Sequence, residues 1–202
     1  MSKVIAIVNQ KGGVAKTTTA INVGAGIAQH DRRVLLIDMD SQGNLSRGLG
    51  CKAKRGQHTI RDTLLSVGNH TMLNPFKGIV TNRAERLDVM PANRQLFGFE
   101  RSLKADEETP FLLSRFVNCV RIRYDYILID CSPSLGILSQ NALVAADSVM
   151  IPVDPEFFGL EGVKVITDTI KLIQKNMNPD LTMEGIVIVR RNNDHRAGKC
   201  RR

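Results

Sequence analysis

The chain has no tryptophan, and aromatic residues make up only 4% of its 202 positions. Base stacking on aromatic platforms is therefore a poor route for it to bind nucleic acid. Its four cysteines, Cys51, Cys119, Cys131 and Cys200, are scattered and form no C-x-x-C pair. That spacing argues against a structural zinc site and fits thiols kept reduced. No apolar run approaches the roughly 20 residues needed to cross a bilayer. The first residues carry no export-signal pattern, because the apolar stretch Val4–Val8 is too short. Low-complexity tracts, internal repeats and long linkers are also missing, which points to one domain.

What is present in excess is positive charge. The formal net charge is +8, a balance that favours polyanions. It is unevenly spread: positions 190–202 hold six Lys or Arg and one acid, Asp194, so removing that +5 leaves +3 for residues 1–189. The last stretch has no apolar periodicity and reads as a basic, disordered tail. A short tail of this kind is most often simply solvated. The expected division is a domain over 1–189 and a tail over 190–202. Hydrophobic content of 43% is ordinary for a packed domain of this length.

Apolar strand-like runs recur at 4–8, 34–37, 126–129, 149–153 and 186–189, with a shorter one at 87–91 that Pro91 stops. Helical patterns lie at 17–29, 59–67, 93–104, 111–122, 135–146 and 160–176. Alternating strands and helices predict an α/β fold, a mostly parallel sheet with helices on both faces. Right-handed crossovers bring the loops after the strands to one sheet edge, where phosphates bind.

Three segments fall at such strand ends. The first is Lys11-Gly12-Gly13-Val14-Ala15-Lys16-Thr17-Thr18, between the apolar run 4–8 and the helical pattern that follows. Strand, glycine-rich turn and helix are the setting of a phosphate-binding loop. Its amides curl around phosphate oxygens, and the helix directs its positive end at the same anion. Lys16 is suited to the β- and γ-phosphates and the Thr17 hydroxyl to Mg²⁺. The strict motif G-x-x-x-x-G-K-[ST] is not met, since Gln10 and Ala15 occupy its glycine positions. The second segment is Val34–Asn44, an apolar strand ending in Asp38-Met39-Asp40-Ser41-Gln42-Gly43-Asn44. Alternation puts Asp38 and Asp40 on one side of an extended chain. Each could serve chemistry or merely cap a turn. The third, Tyr124–Gly136, is a strand ending at Asp130 before a Ser/Pro turn.

The deviant loop K-G-G-x-x-K-[ST], the D-x-D-x-Q-G-N run and the D-C-S-P-S-L-G run together resemble the ParA/MinD family of deviant Walker-A ATPases, with the ParA (Soj-like) branch nearest. Departures are small: Ser41 and Ser132 stand where that branch usually has proline. The resemblance implies a nucleotide-triphosphatase-type fold, ATP and Mg²⁺ as cofactors, and a homodimer closed by ATP, with Lys11 crossing to the partner's phosphates. It implies Asp40 as the residue orienting the attacking water, and Asp130 and Thr17 at the metal. Residues 154–163 resemble a further family segment that makes Glu156 and Phe158 candidate nucleotide neighbours. Plasmid or chromosome partition, nonspecific DNA binding, a ParB-like partner that stimulates hydrolysis and a cytoplasmic, nucleoid-associated location follow as expectations.

The likeness runs from about Lys3 to Val189 and then stops, so the last sheet elements, part of the adenine pocket and the usual DNA surface are expected to be missing. Three alternatives stay open. One is a truncated, noncatalytic DNA-binding remnant acting through its basic tail. Another is a MinD-like membrane switch, which would need an amphipathic C-terminal helix absent from the sequence. The third is an amide-forming synthase. An iron–sulfur cluster is not expected, because no glycine-flanked cysteine pair follows the third segment.

Overall fold

The fold is known from a computed structural model, which describes residues 2–81, 86–99, 107–154 and 159–189. Six strands form one parallel sheet: β1 (Lys3–Ile7), β2 (Val34–Met39), β3 (Leu87–Met90), β4 (Tyr126–Cys131), β5 (Ser148–Val153) and β6 (Thr182–Ile188). Their spatial order is β3-β2-β4-β1-β5-β6. Six α-helices accompany them among the described residues: α1 (Lys16–Gln29), α2 (Asn44–Gly48), α3 (Ile60–Gly68), α4 (Leu112–Val120), α5 (Ile137–Ala145) and α6 (Gly159–Asn176).

The strand sequences are near-continuous apolar runs because both sheet faces are covered. Alternate residues divide between two cores. Ile5, Ile7, Leu36 and Leu128 pack with Ala20 and Ala28 of α1 and Leu45 of α2. Val4, Ala6, Leu35, Ile37, Ile127 and Ile129 pack with residues of α3, α4, α5 and α6, among them Leu64, Phe116, Leu143 and Ile170. α1 lies very close to the sheet at Gly24, where an added Cβ would come within 2.8 Å of Leu36 Cδ2. Helix α3 starts with a capping box, Thr59 and Asp62 bonding reciprocally.

Several boundaries differ from the sequence expectation. Residues Arg94–Gly98 form a 3₁₀ turn in place of the start of a helix over 93–104, and the rest of that span lies mostly outside the described residues. Asn93 explains the tight start, its side chain accepting the Gln95 amide at 3.0 Å. The 111–122 helix is shortened to α4 with single 3₁₀ turns at Thr109–Phe111 and Arg121–Arg123. The last strand covers Thr182–Ile188, wider than the 186–189 run, and among the described residues it lies at the end of the sheet order, with Ile186 and Ile188 exposed at 50% and 66%. The tail 190–202, Glu156 and Phe158 lie outside the described residues.

Candidate functional site

β1 and β4 pair with Ile7 beside Asp130, and β2 and β4 pair with Asp38 beside Asp130. This register brings the ends of three strands together at the C-terminal edge of the sheet, where the topology turns back on itself. The loop after β1 enters α1 through two residues with positive φ, Gly13 at 76° and Ala15 at 57°. Ala15 thus adopts a left-handed conformation at the position where the strict motif has glycine, costing roughly 1 kcal/mol. Asn9 anchors the loop: its Nδ2 donates to the Pro152 carbonyl at 2.6 Å, and its Oδ1 accepts the Lys11 amide at 2.9 Å.

Lys16 is buried and its Nζ donates to the Lys11 carbonyl at 3.0 Å. Burial lowers its pKa, against the pull of the Asp130, Cys131 and Asp40 charges. The Thr17 hydroxyl donates to Asp130 Oδ2 at 2.7 Å. Asp130 is only 1% exposed and its other oxygen, Oδ1, has no hydrogen-bond partner. Burial raises its pKa to about 7; the Asp38 and Asp40 carboxylates push the same way, while Thr17 and Lys16 oppose.

The two aspartates of the second segment part company. Strand β2 ends at Met39, so the strand alternation does not extend to Asp40. Asp38 is fully buried and accepts the Ser46 hydroxyl at 2.6 Å, the Ser46 amide at 2.9 Å and the Asp40 amide at 3.1 Å. It holds the start of α2 against the sheet. Burial raises its pKa despite those bonds. Asp40 is half-buried and accepts the Gln42 amide at 2.9 Å. Asp40 caps a turn and also lines the open hollow described next.

A hollow of about 820 Å³ is lined by Gly12, Gly13, Ala15 to Thr18, Asp40 to Gln42 and Ser132 to Ser134, with Phe97 on its wall. Val14 is buried and is not part of this lining. Lys11 is exposed and outside this lining. Cys131 is buried, which raises its thiol pKa. No group of three or more His, Cys, Asp or Glu suited to holding a metal by themselves occurs among the described residues. Three contributors are not legible in the sequence. Asn9 precedes the loop without any motif of its own. Ser46 matters only through its contact with Asp38. Phe97, 68% exposed, reaches the hollow from a 3₁₀ turn that local pattern does not reveal.

The arrangement is that of an α/β protein with a phosphate-binding loop and convergent carboxylates at one sheet edge. A family model described as an AAA domain matches residues 2–183. Sporulation initiation inhibitor protein Soj of Bacillus subtilis is 45% identical over 93% of this chain and 72% of its own length. Chromosome partitioning protein ParA of Myxococcus xanthus is 45% identical over 93% of this chain and 65% of its own. A solved structure, cobyrinic acid a,c-diamide synthase from Mycobacterium smegmatis with bound ATP analog and magnesium, has a TM-score of 0.84 and 36% identity. That match covers 92% of this chain and 74% of the other. The chain belongs to the ParA/MinD family, on the side of Soj and ParA. It spans roughly two thirds to three quarters of these relatives. No helix among its described residues is long and apolar enough to cross a membrane.

Proposed function

We propose that this chain is a ParA-type partition ATPase whose domain occupies residues 1–189. In this reading it binds ATP with Mg²⁺, dimerises around the nucleotide and holds DNA without sequence preference until a ParB-like partner stimulates hydrolysis. The observation that carries the reading is the unpartnered Asp130 Oδ1 beside the Thr17 hydroxyl and the buried Lys16. A buried carboxylate oxygen without a donor is costly unless a cation or water meets it. A hard cation with retained waters suits that oxygen pair, so the residues present fit Mg²⁺. When bound, Mg²⁺ would neutralise phosphate charge.

The remaining work falls to the chain's own groups. Amides of Gly12 to Thr18 cradle the phosphates, and Lys16 exchanges its carbonyl partner for a phosphate oxygen. Asp40 orients the attacking water and can take its proton. Lys11, exposed at the loop's outer side, is free to reach a second subunit. Slow hydrolysis then makes the nucleotide a timer of state.

The test is DNA binding at moderate salt with Mg·ATP, with Mg·ADP and without nucleotide. Binding that requires ATP supports the reading, whereas equal binding in all three states overturns it in favour of a charge-only remnant. Asp40→Ala should bind ATP yet lose hydrolysis; normal turnover would remove Asp40 from its role. An amide-forming activity has the likeness to the diamide synthase behind it, but identity to that protein is lower, 36% against 45%. ATP turnover that depended on a carboxylic acid and an ammonia donor would favour it.

A further inference from the structure

A second hollow, of about 540 Å³, lies on the other side of the Gln42–Gly43 turn and shares Gln42 with the first. Arg47, Lys52, Lys54, Arg55 and Arg94 line it, and no acidic residue does. All five are exposed, and none forms an ion pair with a carboxylate among the described residues. A neighbouring acid, Asp62, is taken up by Thr59 and Arg61. Five like charges around one hollow repel each other. The rest of the lining is small or polar, with no aromatic and nothing apolar larger than alanine. Such a surface can hold anions but cannot bury a ring or a hydrocarbon.

We propose that this hollow is a contact site for the phosphate backbone of DNA, placed against the loop that carries Asp40. A single phosphate needs fewer cations and a more enclosed seat. A row of phosphates matches several exposed cations on long, flexible stems around an open hollow. The lack of aromatic side chains fits contact that ignores base identity. The site also has a route to the nucleotide. Arg47 Nη2 donates to the Gln42 carbonyl at 2.9 Å and to Asn44 Oδ1 at 2.6 Å. A phosphate that drew Arg47 away would loosen the turn carrying Asp40 and Gln42, and a nucleotide that moved the turn would reshape the hollow. This inference rests on the partition-ATPase reading and adds to it a location for the DNA.

The test compares two triple variants of the full chain, Lys52→Gln/Lys54→Gln/Arg55→Gln in the hollow and Lys164→Gln/Lys171→Gln/Lys175→Gln on α6, by fluorescence anisotropy on a mixed-sequence duplex. Both remove the same charge, and none of the six residues lines the nucleotide hollow. Binding of a fluorescent ATP analogue serves as the check that both fold. The hollow variant should lose on the order of 100-fold in affinity at 0.1 M salt, and its log–log salt slope should shrink by about 2.7, or ~0.9 for each phosphate no longer neutralised. The α6 variant should keep most of the affinity. Inorganic tripolyphosphate as competitor separates a discrete phosphate seat from an extended track, since a track yields to duplex at far lower phosphate concentration. Equal loss in both variants, no loss in the hollow variant, or competition by tripolyphosphate as good as by duplex would each overturn the proposal. Failure of the unaltered chain to bind DNA in any nucleotide state would instead sink the partition reading itself, and the inference with it.

Discussion

Replacing Asp130 by Asn should make the nucleotide-free protein more stable. Asp130 is buried with one oxygen unpartnered, and its pKa lies at about 7. In the unfolded chain the same carboxyl titrates near 4. Between these values the folded protein holds a proton that the unfolded chain has released, so stability falls as pH rises from about 4 to about 7 and levels off above. At ~1.4 kcal/mol per tenfold, the gap amounts to on the order of 4 kcal/mol at pH 8. Asn carries no charge to bury and still offers an oxygen to the Thr17 hydroxyl. For a chain of this size the gain corresponds to about 10 °C in Tm. The assay is a pair of urea or thermal melts in EDTA at pH 4.5 and pH 8. Asp130→Asn should exceed the unaltered protein at pH 8 and nearly match it at pH 4.5. Addition of Mg·ATP should then stabilise the unaltered protein more than the variant, narrowing the difference. A variant no more stable than the parent at pH 8, or a difference independent of pH, would refute the reasoning. Asp38, whose pKa is also raised by burial, sits beside Asp130 across the strand pair and is coupled to it, so the pH dependence of the difference belongs to the pair.

Three further outcomes are expected. Lys16→Ala should lose binding of a fluorescent ATP analogue while keeping its circular-dichroism spectrum; unchanged binding would remove the loop from its assigned role. Ser46→Ala strips the buried Asp38 of its 2.6 Å hydroxyl bond and the Ala92 amide of its 3.0 Å acceptor. It should cost about 3 kcal/mol in urea denaturation, and a loss below ~1 kcal/mol would show that water replaces the hydroxyl. Gly24→Ala should destabilise by about 1 kcal/mol, because crowding against Leu36, Leu128 and Leu87 outweighs the ~1 kcal/mol gain in helix propensity. Stabilisation by this change would mean that α1 can back away from the sheet freely.

Much of this protein is open to reading from its residues alone. Continuous apolar runs mark strands buried on both faces, and their alternation with helical patterns dictates a parallel sheet whose loops meet at one edge. The loop Lys11–Thr18 is legible because its chemistry is local: glycines, lysine and threonine act within one turn, and only the preceding strand and following helix are needed to aim them.

What tertiary structure alone decided concerns partners far apart in the chain. Asp38 and Asp40 stand two apart at the end of one apolar run, yet the strand ends between them. Ser46 then claims the first, and the second is left at the hollow. The register that sets Asp130 beside Ile7 and Asp38, and so leaves one of its oxygens buried without a donor, comes from strand pairing that no local pattern encodes. Asn9 acquires its role by reaching Pro152 across the sheet, and Phe97 reaches the hollow from a turn set by Asn93. Local sequence specifies which backbone forms and which chemistry it carries. Which carboxylate is buried without a donor, which is held by a hydroxyl and which cations gather around one hollow are settled only when distant segments pack together.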